Sequence, residues 1–142
     1  MKTMPRVRDF HSAKPITVHR ETGIMRAVHL MLKHDISGMP VVDDAGRLVG
    51  ILTERDCIGV AVSAGYFDEP GGKVSDYMTR EVQTVGPDDS LMDVARRFVG
   101  SPFRRFPVVE GGQLLGIIGR RDFLRAMRGR RPRRWLDWLR KE

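Results

Sequence analysis

Gly50 to Asp56 reads GILTERD, and Gly116 to Asp122 reads GIIGRRD. Each is a short apolar run, then a polar break, then the start of a helical pattern. Both read as a strand handing over to a helix. In the first copy the Thr53 hydroxyl and the Asp56 carboxylate stand three residues apart at that junction. A helix N-terminus exposes unpaired N–H groups and a positive dipole end, which suits a polar, anionic ligand. The same spacing is also an ordinary helix cap, with Thr as N-cap and an acid in the first turn. The motif alone leaves both readings open.

Outward from these two copies the similarity continues. VRDFHSAKPITV, Val7 to Val18, aligns with VSDYMTREVQTV, Val74 to Val85, 67 positions on. The same offset relates MPVVD at Met39 to Asp43 to FPVVE at Phe106 to Glu110. One residue is lost where DDAG becomes EGG, so the closing acids Asp56 and Asp122 are 66 apart. A phase kept through strands, helices and turns marks a duplicated unit.

Each unit is expected to run β-α-β-β-α. In the first, Ile16 to Val18 is a short strand, and Thr22 caps a helix from Gly23 to about His34. The apolar stripe of that helix is Ile24, Ala27, Val28, Met31 and Leu32. In the second, Leu91, Val94, Ala95, Phe98 and Val99 repeat the stripe after Asp89 and Ser90. Met39 to Val42 is a strand opened by Pro40. Asp43 to Gly46 is a hairpin turn, and Leu48 to Thr53 is an apolar partner strand, covered on both faces. A helix follows from about Arg55 to Ala64. One such unit has too few strands to bury both sheet faces and needs its twin. The fold class is therefore α/β, two repeats related by a pseudo-two-fold axis in one module: repeat 1 at 7–64, a linker at 65–73, repeat 2 at 74–128.

With 142 residues, 41% hydrophobic and 30% charged, the chain supports a domain with a real core and is not a disordered polymer. No apolar run approaches the roughly 20 residues that span a membrane. MKTMPRVRDF at the N-terminus has no apolar core, so no secretory signal is expected. Cys57 is the single cysteine, which excludes an intrachain disulfide. These features set the expectation of a cytoplasmic protein.

The net charge of +7 is uneven. Residues 129–142 hold Arg130, Arg131, Arg133, Arg134, Arg140 and Lys141 against Asp137 and Glu142, more than half of the excess. Trp135, Trp138 and Leu139 share one face of a short amphipathic helix there. That basic tail reads either as a segment docked by its apolar face or as a nucleic-acid contact, with arginines on phosphate and tryptophans stacking on bases. Bulk pI is a weak argument for nucleic acid when the charge is local.

Taken together, the segments HDISGMPVVD with GRLVGILTERD, and FRRFPVVE with GQLLGIIGRRD, resemble a tandem cystathionine-β-synthase (CBS) domain pair, a Bateman module. SDYMT, Ser75 to Thr79, is similar to the family's lead-in to a repeat. The resemblance covers about residues 7 to 128. It implies a regulatory module whose clefts between the halves bind adenosine-containing ligands: AMP, ADP, ATP or S-adenosylmethionine. On that resemblance Thr53 and Asp56 meet ribose, and Ser12, Ile16, Ile36, Ser37 and Gly38 surround adenine. Arg104 and Arg105, from the opposite half, hold phosphate. A carboxylate accepts two hydrogen bonds from a diol, and arginine's planar fork matches phosphate oxygens. The second copy departs from the pattern: Gly119 replaces the hydroxyl, leaving Asp122 with Arg120 and Arg121 as a weaker site.

The resemblance further implies a homodimer and an output through a separate effector protein. The rival reading is a ligand-independent interaction module. No catalytic triad, P-loop or metal-ligand spacing points to an enzyme, and no metal is expected from His19, His29 and His34. Cys57, at a helix start, is open to a lowered thiol pKa but is expected to be a packed residue.

Overall fold

The computed structural model describes residues 5–11, 15–64 and 71–128. The chain divides into two units that are not the two sequence repeats. The first unit comprises Pro15–Val82 and Gly112–Leu114; the second comprises Met1–Lys14, Gln83–Gly111 and Leu115–Glu142.

In the first unit, β1 (Val18–His19), β2 (Gly38–Val42) and β3 (Leu48–Thr53) form a sheet in that order, β1 parallel and β3 antiparallel to β2. Helix α1 (Ile24–His34) lies between β1 and β2, and α2 (Glu54–Ala64) follows β3 without a break. A third helix, α3 (Val74–Tyr77), is a single turn. The core holds Val18, Ile24, Ala27, Met31, Met39, Val41, Leu52 and Val60, with Val74 and Met78 from the lead-in to the second repeat.

The second unit contains α4 (Leu91–Val99), β4 (Arg105–Glu110), most of β5 (Gln113–Gly119) and α5 (Arg120–Arg128). Its core gathers Val85, Leu91, Val94, Phe98, Phe106, Val108, Ile118 and Ala126 around Val7, which is 0% exposed. Val7 belongs to the first ten residues of the chain, a 3-10 turn at Val7–Asp9. Each lead-in therefore packs in the unit that carries the other repeat's helices and strands.

The exchange is held by backbone hydrogen bonds that repeat residue for residue. Val7, Arg8 and Leu91 donate to Asp89, Pro87 and Pro5 in the second unit, at 3.0, 2.8 and 3.0 Å. Val74, Ser75 and Ile24 donate to Thr22, Arg20 and Gly72 in the first, at 2.8, 3.0 and 3.0 Å. Ion pairs sit over the same places: Arg8 with Asp88 at 2.6 Å, and Lys73 with Glu21. The Arg8 hydrogen bond lowers the Asp88 pKa, and the Lys73 hydrogen bond lowers that of Glu21. A carboxylate with a depressed folded-state pKa stabilises the fold above its ordinary value and loses that contribution as pH falls through the lowered one. These clamps are thus intact at neutral pH and released by acid.

Several sequence expectations are corrected. Thr22 does not cap α1. The N-cap is Gly23, without a side-chain bond, because the Ile24 N–H is met by the Gly72 carbonyl and the Thr22 carbonyl is taken by Val74. Among the described residues the second repeat has no strand equivalent to β1, only a parallel bridge between Val85 and Val108. In the first unit Arg20 N–H continues the ladder to the Val42 carbonyl at 3.0 Å. The equivalent residue is Pro87, which has no N–H to give. Pro40 does not open its strand but sits third in β2. It faces Ile51, whose N–H and carbonyl are both bonded to Thr79, at 2.9 Å each. The pair is a non-hydrogen-bonded one, so the missing donor goes unnoticed. β3 is not covered on both faces: Gly50 and Leu52 are buried and the residues beside them only partly. Leu32 and Val99, the last members of the two stripes, are 78% and 90% exposed, since each stripe turns away from the core by its end.

Gly50 marks a close backbone approach. A Cβ there would meet Met78 Sδ at 2.7 Å and the Thr79 carbonyl at 2.8 Å. The carbonyl belongs to the segment hydrogen-bonded to Ile51 and has nowhere to retreat. Gly50→Ala is expected to destabilise the protein by about 1–3 kcal/mol, the usual penalty of overpacking. A urea unfolding midpoint equal to that of the parent protein would contradict this.

The linker at 65–73 is described only from Gly71 on, and the tail at 129–142 with Trp135, Trp138 and Leu139 lies outside the described residues. Among the described residues no helix is long and apolar enough to cross a membrane.

Candidate functional site

The junction quoted at the outset lies at one end of the β2–β3 pair, where Gly38 is registered opposite Thr53. Thr53 ends β3 and Glu54 begins α2. Asp56 Oδ2 accepts the Thr53 N–H at 3.0 Å, and Thr53 Oγ1 accepts the Asp56 N–H at 3.1 Å. Hydroxyl and carboxylate thus form a reciprocal cap, and both residues are half-buried. The capping reading is realised; it leaves carboxylate lone pairs available.

Three of the residues assigned to adenine are brought to the same end. The Ser37 carbonyl accepts the Glu54 N–H at 2.9 Å, which ties the approach to β2 onto the start of α2. Ile36 packs partly buried against the core. Gly38 is buried, and a Cβ on it would sit 3.2 Å from the Leu52 carbonyl and 3.7 Å from Thr53 Cγ2. Ile16, two residues before β1, is 37% exposed. Ser12 lies outside the described residues.

Among the described residues, the lead-in hydroxyl that reaches Asp56 is that of Thr79, donating at 3.2 Å to Oδ1 and 3.3 Å to Oδ2. Thr79 was missed by the sequence reading. The signal was present, since Thr79 aligns with Ser12 across the repeat. What the repeat cannot say is which lead-in docks on which half.

Arg104 and Arg105, assigned to phosphate, lie in the second unit just before and at the start of β4. Here the same junction recurs. The Arg120 N–H donates to the Arg104 carbonyl at 3.0 Å, as Glu54 does to Ser37. Asp122 Oδ2 accepts the Gly119 N–H at 2.7 Å, and Arg125 pairs with its Oδ1 at 3.3 Å. The missing partner is the hydroxyl. A Cβ on Gly119 would lie 3.5 Å from the Arg104 carbonyl and 3.7 Å from Asp122 Oδ2, ordinary contacts. Gly119→Thr therefore fits. It restores a cap at α5 and removes a strand glycine, so it is expected to stabilise by about 0.5–1 kcal/mol in a thermal melt.

Two recesses flank this second junction. One of about 340 Å³ is lined by Asp9, Phe10 and His11 with Asp122, Arg125 and Arg128. The other, about 260 Å³, lies beside Phe103 and Phe106, floored by Arg97 and Gln83. Phe103 aligns with Ile36 of the first repeat and is 44% exposed.

Cys57 follows Asp56 but is not an activated thiol. Burial raises its pKa, and the carboxylates of Asp56 and Glu54 add to the rise. Among the described residues no group of His, Cys, Asp or Glu is arranged to hold a metal ion.

A duplicated α/β unit with the same capped strand-to-helix junction in each half defines a tandem-repeat module. The chain belongs to the CBS domain family, whose profile matches residues 7–63 and 74–129. It is 36% identical over 121 residues to protein MJ1225 of Methanocaldococcus jannaschii, covering 85% of this chain but 42% of that protein. Among solved structures it is similar to the CBS domain pair of protein MJ0100 in complex with 5-methylthioadenosine and S-adenosyl-L-methionine. There the TM-score is 0.73 and the identity 31%, over 89% of this chain and 98% of the other. It is similar also to CBSX2 in complex with AMP, at TM-score 0.75 and 30% identity, over 85% and 94% of the two chains. CBSX2 is from Arabidopsis thaliana.

Proposed function

We propose that this CBS pair is a regulatory module that binds an adenosine-containing ligand beside Thr53 and Asp56 and signals to a separate protein. The observation that carries the reading is the convergence of Ile36, Ser37 and Gly38 on the Thr53–Asp56 junction, where a half-buried carboxylate is oriented by two threonines. A diol can donate to that carboxylate while it still caps α2. The bound AMP, 5-methylthioadenosine and S-adenosylmethionine of the similar structures support the class of ligand. Phosphate is assigned to Arg104 and Arg105 on the family likeness. Binding regulates only if the ligand prefers one of two states of the module or of its homodimer. The proposed setting is cytoplasmic, with no chemistry performed by the module itself.

Calorimetry with AMP, ADP, ATP and S-adenosylmethionine tests this directly. At least one should bind below millimolar concentration, and a Thr53→Ala, Asp56→Ala double variant should lose it. Absence of heat with all four at millimolar concentration would sink the proposal.

A ligand-independent interaction module is the second reading. It is favoured by Ile58 and Leu124, equivalent positions of α2 and α5 that are 64% and 59% exposed. Dimerisation indifferent to every nucleotide in light scattering would support it.

A further inference from the structure

The excess charge of the chain begins at α5. Residues 1–119 hold fifteen lysines and arginines against fifteen aspartates and glutamates, so they are neutral. Helix α5 carries Arg120, Arg121, Arg125 and Arg128 against Asp122, and the sequence after it carries the rest of the +7. Arg121, Arg125 and Arg128 stand four and three residues apart, on the side of the helix away from the buried Ala126. All three are exposed. Among the described residues no carboxylate pairs with Arg121 or Arg128. Arg125 reaches Asp122 at 3.3 Å, a surface pair that is easily given up.

The first unit supplies a comparison within the same chain. The positions of α2 equivalent to Arg121, Arg125 and Arg128 are Arg55, Gly59 and Val62, and α2 has a single arginine against Glu54 and Asp56. Val62 is 78% exposed, so the outward side is open in both helices. The fold therefore does not require cations there. A pattern needed to cap or pack the helix would recur in both copies, whereas one that serves a partner need not.

The three arginines span about 10 Å of helix, the reach of about two to three backbone phosphates. Nine of the ten cations from Arg120 onward are arginine, whose planar fork matches phosphate oxygens. Trp135 and Trp138, in the sequence that follows, favour a strand with unpaired bases, since stacking needs a free base face. We infer that the outward side of α5 is a docking surface for single-stranded nucleic acid, held through its phosphates and without regard to sequence. The surface goes beyond the nucleotide reading and uses neither Thr53 and Asp56 nor Arg104 and Arg105.

The test is fluorescence anisotropy of a labelled mixed-sequence DNA strand, alone and annealed to its complement, titrated with the full chain at several KCl concentrations. The strand should bind more tightly than the duplex and more weakly as salt rises. Arg125→Ser, Arg128→Ser should weaken binding about tenfold. It should also lower the slope of log affinity against log salt by about 1.4, because each phosphate contact on a single strand contributes about 0.7. Arg125→Lys, Arg128→Lys keeps the charge and should keep the slope, so a misfolded serine variant is not mistaken for a lost contact. Val62→Ser, at the matching place on α2, should leave the affinity unchanged. The inference is overturned if neither strand nor duplex binds at the lowest salt. It is overturned too if the serine variant binds with the parent's affinity and slope, which would move the contact to the basic residues at 130–134. Tighter binding of the duplex would overturn the single-strand assignment. Displacement by poly-L-glutamate as effective as by unlabelled strand would replace the surface by one for an acidic protein.

Discussion

An Asp56→Ala variant is expected to lose about tenfold or more in affinity for AMP, because a hydrogen bond to a charged group contributes about 1.5–3 kcal/mol. It should also unfold about 1–2 kcal/mol more readily, the usual loss on removing a helix cap. Both effects follow from one carboxylate. Oδ2 caps α2 through the Thr53 N–H, and both oxygens receive the Thr79 hydroxyl. Asp56→Asn separates them. The amide oxygen can still accept the Thr53 N–H, so most of the stability should return, while the charged acceptor for a diol is gone. The measurements are an AMP titration and a urea melt on each variant. Full AMP affinity in Asp56→Ala would remove this residue from any ligand site and leave it a cap alone.

The second large effect is structural. Phe106 is 1% exposed and is the largest fully buried side chain among the described residues. Its ring stacks on Phe98 at 4.8 Å and meets Phe103 at 5.9 Å, and the Arg97 guanidinium lies 4.4 Å from its centroid. Arg97 is held there by the Thr84 carbonyl and the Gln83 side chain, at 2.9 Å each. Phe106→Ala is expected to destabilise by about 3–5 kcal/mol, a large part of the 5–15 kcal/mol typical of a whole domain. Leu124→Ala, at a position 59% exposed, should change stability by no more than about 0.5 kcal/mol. Urea unfolding followed by circular dichroism compares the two. A loss below about 1 kcal/mol at Phe106 would mean the second core re-forms without it.

Much of the local structure was legible because it is set by nearest neighbours. The hairpin at Asp43–Gly46 is one case. Asp43 Oδ1 accepts the N–H groups of Ala45 and Arg47 at 3.0 and 2.9 Å, and Gly46 adopts φ +78°. Aspartate and glycine announce such a turn by their own chemistry. The Thr53–Asp56 junction was legible for the same reason, since its partners are three residues apart. The cap of α1 was misread because its donor is met by Gly72, far along the chain, so Thr22 never needed to serve. The shortened strand at Val85 was misread although its cause, Pro87, is in the sequence; only the observed bond from Arg20 shows which N–H the proline lacks. Thr79 went unnoticed because its acceptor lies 23 positions back along the chain.

The amino-acid sequence by itself determined the duplication, the order of elements in the first copy, and the hydroxyl-acid pair present in one copy and broken in the other. These follow from periodicity, turn chemistry and spacing, which act over a few residues. Only the tertiary structure decided that the lead-ins are exchanged, with Val7 buried among the second repeat's side chains and Val74 among the first's. The two lead-ins are near copies, and either would satisfy the pattern of either core. The choice belongs to the path of the chain, which a repeat read along one dimension does not contain.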